Sequence, residues 1–184
     1  MKRRATLWGR ILVVLAALGA CGGLDTFDIA ESSAATIQGA SILEQIVGDV
    51  GFGGFLNMDI SQSEEFKNQG VEKNQIDSVR LKTLTLTITN PPSGQDFTFL
   101  ESLKFYAEAE GLARTLIATG GPFAAGSSSV GLDVEDVELA PYASAPSMNV
   151  TTEATGRRPG QDTTVDAAIV LTVDANVSGA VCGN

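Results

Sequence analysis

The chain of 184 residues carries 12 Lys/Arg against 22 Asp/Glu, a net charge of −10, and contains no histidine. An acidic surplus of this size argues against a nucleic-acid partner, because phosphate binding depends on Lys and Arg displacing counterions. Without histidine there is no Ser-His-Asp or Cys-His nucleophile, no imidazole-ligated zinc, and no side chain whose ordinary pKa lies near neutrality.

At the N-terminus, Lys2, Arg3, Arg4 and Arg10 precede the apolar run Ile11 to Ala20, ILVVLAALGA. Ten apolar residues are half of what a helix needs to cross a bilayer, roughly 20. The basic start, short apolar run and small residues together read as an export signal. Leu18-Gly19-Ala20-Cys21 then resembles the bacterial lipobox, an aliphatic residue and two small ones before cysteine. The resemblance implies a diacylglyceryl thioether on Cys21, cleavage just before it, and acylation (palmitate or similar) of the new amino group. Residues 1–20 would be the lipoprotein signal peptide. The lipid on Cys21 is then the membrane contact, and two or three acyl chains on one residue hold far more firmly than one. Gly22 follows the cysteine where an Asp would signal retention in the inner membrane. The resemblance therefore implies an outer-membrane lipoprotein whose body faces the periplasm or the exterior.

Loss of residues 1–20 removes those four basic residues and no acidic one, which leaves 8 basic and 22 acidic residues and a net charge of −14. The mature length suits one domain, residues 36–184, behind a lipidated cysteine and flexible tether at 21–35. With Cys21 consumed, Cys182 has no intramolecular partner. A buried thiol in a monomer, an intermolecular disulfide dimer and a reactive thiol are its three possible fates.

Residues 22–35 are small and polar with little periodicity, and read as a tether. Over Thr36 to Val50 the pattern turns helical: Ile42, Leu43, Ile46, Val47 and Val50 share one face, and Gln38, Ser41, Gln45 and Asp49 the other. Ser33 or Thr36 is placed to cap its start and Gly51 its end. With no Lys or Arg on its polar face, this helix is expected to pack on the domain rather than lie on a membrane. Gly51-Phe52-Gly53-Gly54 is a hinge without the Lys-Ser/Thr of a phosphate loop. A short apolar stretch runs from Phe55 to Ile60, and Ser63 to Asn68 is one helical turn closed by Gly70.

Strands follow. Val79 to Thr89 alternates, but its apolar face changes from Val79/Leu81 to Leu84/Leu86/Ile88, one residue out of step, which predicts a bulge. Asn90-Pro91-Pro92-Ser93-Gly94 is a turn. Leu103, Phe105, Ala107 and Ala109 then oppose Lys104, Tyr106, Glu108 and Glu110, and Gly111 permits a turn into Ala113 to Ala118. Val130/Leu132/Val134, Met148/Val150/Thr152/Ala154 and Val165 to Val177 supply further alternating faces, the last two separated by the loop at 156–160. The expectation is a mainly β fold: an antiparallel Ig/fibronectin-like sandwich of about seven strands, with the N-terminal amphipathic helix packed on it. The stretch Ile88-Thr89-Asn90-Pro91, a Phe/Leu-rich segment, then Leu116-Ile117-Ala118-Thr119-Gly120 resembles the middle of the type-2 late-embryogenesis-abundant (WHy) domain. That family has an Asn-Pro turn and an Ile-Ala-x-Gly element on a fibronectin-like sandwich. A second proline and an inserted Ser-Gly-Gln depart from its pattern.

The densest acidic group is Asp133, Glu135, Asp136 and Glu138. Its oxygens suit calcium, although the EF-hand spacing is missing, and its alternation with Leu132, Val134, Val137 and Leu139 equally fits the solvated face of a strand. No other metal or cofactor motif appears. Phe97, Phe99, Phe105 and Tyr106 are either core or the lining of an apolar groove. Three functions follow for the mature domain. They are a non-catalytic binding or structural module for an envelope protein, a carrier or chaperone for a hydrophobic ligand, and a hydrolase working through paired carboxylates. The last lacks an aromatic sugar platform, since Trp8, the single tryptophan, falls within the signal.

Overall fold

The structure, a computed structural model, describes residues 26–40, 45–48, 55 and 57–176. The lipobox, Cys21 and Cys182 lie outside them. Two antiparallel sheets face each other. The first has the order β1-β9-β3-β6, built from β1 (Thr26–Ile37), β9 (Thr163–Ala175), β3 (Ile76–Asn90) and β6 (Ser129–Gly131). The second has the order β2-β8-β4-β5-β7, built from β2 (Gln45–Gly48), β8 (Asn149–Arg157), β4 (Leu100–Glu108), β5 (Thr115–Gly120) and β7 (Asp133–Val134).

β6 and β7 are one extended run that leaves the first sheet for the second. Leu132 lies between them, buried, its amide still donating to Leu84 O at 2.9 Å, while Glu135 N donates to Ile117 O at 2.9 Å. Counted as one strand, they give eight strands in the order of a double-sheet jelly roll. The coarse expectation of a mainly β antiparallel sandwich holds. Its Ig/fibronectin-like topology does not, because the first strand pairs with the last along its whole length and lies two places from β3.

The alternating strands take the faces expected of them. In β9, Val165, Ala167, Ile169, Leu171, Val173 and Ala175 are all buried. β3 carries the bulge: pairing steps from Leu81↔Leu171 to Thr83↔Val170, so the extra residue, Lys82, turns outward and both Val79/Leu81 and Leu84/Leu86/Ile88 face the core. The helical turn is α1 (Glu64–Gln69), capped by Ser63 Oγ accepting from Phe66 N at 3.1 Å and closed by Gly70 at φ 64°. β5 begins two residues later than expected, at Thr115.

Two expectations are corrected. Residues 26–35, expected as tether, belong to β1, which pairs with β9 from Thr26↔Asp174 to Ile37↔Thr163. The inward positions of β1 include Glu31, Ser33 and Ala35, so the period-two signal is too dilute to stand out. The helix over 36–50 is also absent where described: Thr36 and Ile37 end β1, and Gln45–Gly48 is β2, paired with Arg157 to Ala154 of β8. Residues 41–44 and 49–50 lie outside the described residues. Four of the five apolar residues in that pattern, all but Leu43, are β-branched, a choice that suits a strand better than a helix. Pairing with β8 therefore overrides a helical spacing built from strand-forming residues.

At Gly156 the backbone of β8 lies close against the start of β4. The φ of this glycine is 153°, and a Cβ there would meet Phe99 O at 2.2 Å. Gly160, in the following turn, has nothing within 4 Å of the same atom. Gly156→Ala is expected to cost about 2 kcal/mol or more by urea unfolding, from strain and backbone overlap together, and Gly160→Ala less than about 0.5 kcal/mol.

Candidate functional site

Charged and aromatic side chains gather in four places. On the outward face of the second sheet, the Arg114 guanidinium lies 3.6 Å from the centroid of the Tyr106 ring. Its Nε donates to Glu108 Oε1 at 2.7 Å and a terminal nitrogen donates to Glu153. Thr151 Oγ1 donates to Glu108 at 2.6 Å, and Tyr106 Oη donates to Glu153 at 3.1 Å. Period two builds this cluster, since Tyr106 and Glu108 alternate with the buried Phe105 and Ala107, and Thr151 and Glu153 lie beside them on β8. Arg114 holds the Glu153 carboxyl below the usual carboxylate range, while burial and then Glu153 push the Tyr106 hydroxyl up. Both shifts move away from neutrality, which suits ion pairing and not proton transfer.

The acidic group expected near Asp136 is divided. Asp133 stands exposed on β7, and Glu135 follows it into the loop. Asp136 pairs with Arg80 of β3. Glu138 turns back toward β3, where it accepts from Val79 N at 2.8 Å, Ser78 Oγ at 2.7 Å and Ala140 N at 2.9 Å. Burial pushes its carboxyl up, but these three donors, with Arg80 beside it, more than offset burial and leave it below its ordinary value. Glu138 thus satisfies backbone amides at the start of β3 and of α2 (Ala140–Ala143). Among the described residues no three Asp, Glu, His or Cys side chains converge as a metal site.

The aromatic group also separates. Phe97, Phe99 and Phe105 are buried, with Phe97 in ring contact with Phe99 at 6.2 Å and with Phe123 at 5.6 Å. Tyr106 stands on the opposite face, over which Arg114 lies. These four residues do not line a single groove.

The fourth place is Glu31, which sequence reading missed because strand β1 was itself missed. It lies on the inward side of an edge strand, between Ile29 and Ser33 and opposite Ile169. An inward-pointing charge is one way in which an edge strand resists pairing with another chain. Phe66 of α1 packs against Phe27 of β1, ring centroids 6.0 Å apart at 66°. Burial first, and then the Glu65 carboxylate of α1, raise the pKa of Glu31.

No family model matches the chain, and no curated protein matches it. Among solved structures, the chain is similar to a decameric BFDV capsid protein at 12% identity, with 80% of this chain and 96% of that one covered and a TM-score of 0.40. So distant a likeness carries no argument about function, and the fold described above rests on strand order alone.

Two outcomes follow from the carboxylates. The pKa of Glu31 is raised in the fold, so the stability it contributes is full below its unfolded value and is lost as pH rises through the folded value. Glu31→Gln should therefore stabilise the protein at pH 7 by up to about 1 kcal/mol, allowing for solvent screening of a half-exposed group, and by almost nothing near pH 4. Urea titrations at both pH values read the difference. Glu138 has the opposite sign, and its stabilisation is lost as pH falls through its lowered value. Glu138→Ala should cost about 1–2 kcal/mol through its unsatisfied amide donors, and Asp136→Ala less than about 0.5 kcal/mol. A calcium site made by the same residues would instead show a Tm that rises with calcium and no longer does so in Asp136→Ala.

Proposed function

We propose that the protein is a lipid-anchored component of a bacterial cell envelope, with a non-catalytic binding or structural β domain. One observation carries this: Leu18-Gly19-Ala20-Cys21 stands behind a basic segment and a ten-residue apolar run. Lipid on Cys21 would provide the membrane attachment, and Gly22 in place of Asp favours the outer membrane. The acidic body, with a net charge of −14 after removal of residues 1–20, is suited to stay solvated beside an anionic lipid surface.

The non-catalytic part of the proposal is supported by the lack of histidine and by the engagement of the clustered carboxylates. Glu108 and Glu153 are tied to one guanidinium, and Glu138 to backbone amides. A carrier for a hydrophobic ligand has less support, because the phenylalanines that would line its cavity are buried in the core. The likeness to the WHy domain adds at most a two-sheet body to this proposal and brings no site with it.

Expressed in a bacterium fed a labelled fatty acid, the wild-type chain should incorporate the label and partition with membranes. Cys21→Ala should lose both. Unchanged labelling in Cys21→Ala would overturn the anchor.

A further inference from the structure

We infer that the end of the sandwich at which β1 begins faces the lipid surface, and that the opposite end points away from it. This orientation rests on the lipid anchor at Cys21 proposed above. It follows from how little chain separates that cysteine from the folded body. Four residues, 22–25, lie between Cys21 and Thr26, the first residue of β1. Five peptide steps reach at most about 18 Å at roughly 3.3–3.6 Å each. β1 itself spans 12 residues, or about 40 Å at ~3.3 Å per residue. The tether is therefore too short for the body to turn over and present its far end to the membrane.

The near end is well defined. β1 starts there, beside the end of β9 and near the start of β3 at Ile76, and Asn176 N donates to Gln75 O at 2.8 Å. Three hydrogen bonds of the segment around α2, which leads into β8, connect this end to the β4–β5 turn. Lys73 Nζ donates to Ala145 O at 2.8 Å, Leu139 N to Val79 O at 2.8 Å, and Tyr142 Oη to Ala113 O at 2.6 Å. The last places the β4–β5 turn at this end. That turn carries Leu112, 39% exposed and the exposed large hydrophobic side chain among the described residues.

The far end is formed by the turns after β3, between β5 and β6, and between β8 and β9. Two of these are joined by the Asp96 carboxylate, which accepts from Gly126 N at 2.8 Å. Charge does not choose between the arrangements, because the near end itself carries the exposed Glu72, Asp77, Glu110 and Asp174; the length of the tether does. Leu112 then meets the headgroup region, and the far turns are the part of the body most open to a partner.

Site-directed labelling of the full lipidated chain tests this. In a Cys182→Ser background, Leu112→Cys and Ser93→Cys each carry one fluorophore, Ser93 being exposed in the turn after β3. The protein is reconstituted into vesicles of phosphatidylethanolamine with a minor share of phosphatidylglycerol, some headgroups bearing a quencher. Quenching several-fold stronger at position 112 than at position 93 is expected. Equal or reversed quenching, with lipid on Cys21 confirmed by mass in the same sample, overturns the orientation and leaves the anchor standing. Absence of lipid on Cys21 overturns the anchor and the orientation together.

Discussion

The structure depends on one strand. β9 runs between β1 and β3, and from Thr163 to Ala175 every second residue turns into the core. A slip of one residue would move this whole apolar set to solvent, so the alternation sets the pairing of both neighbours at once. The bulge at Lys82 and the small or polar inward residues of β1 both follow. β3 absorbs its extra residue to keep Leu84, Leu86 and Ile88 inward, and β1 accepts Glu31 and Ser33 inward because β9 dictates its register.

The same period governs the surface. Where a core strand presents Phe105 and Ala107 inward, it presents Tyr106 and Glu108 outward, and the next strand adds Thr151 and Glu153. Arg114 joins these carboxylates into one network over an aromatic ring. Exposed ion pairs of this kind contribute little individually to stability. Their effect is local, in that they hold long side chains flat on the sheet and leave its face polar. Glu138 and Asp96 do different work, since their carboxylates accept backbone amide protons and join segments far apart in the chain.

What sequence periodicity could reveal is uneven for a physical reason. β9, β4 and β8 place apolar residues (Val, Ile, Leu, Phe and Ala) at most of their inward positions, and their faces are readable without a structure. The bulge in β3 was also readable, because a strand whose apolar pattern slips by one residue can bury both halves on one face only by bulging. β1 and β2 were not. β1 is held by a strong partner and needs little apolar content of its own, and β2 is four residues long within a segment whose spacing mimics a helix. The strand order was beyond reach, because an Ig-like sandwich and a jelly roll use the same alternating strands with different connections. The acidic group at 133–138 illustrates the same limit. Its residues are adjacent in sequence, yet Asp136 and Glu138 are drawn to β3 by Arg80, Ser78 and the Val79 amide, which no local pattern announces.

On the proposed reading, the β body and the N-terminal motif would together make a short-tethered, acidic, two-sheet module at a membrane surface. The first strand begins five residues after Cys21, so attachment there would share one end of the sandwich with the pairing of its first and last strands. The most direct measurement is the intact mass of the protein recovered from the membrane fraction of a bacterium expressing the full chain. The account predicts a mature chain that begins at Cys21 and carries the added mass of a diacylglyceryl group and an N-acyl chain. A chain that retains residues 1–20, or one cut elsewhere and bearing no lipid, would contradict it.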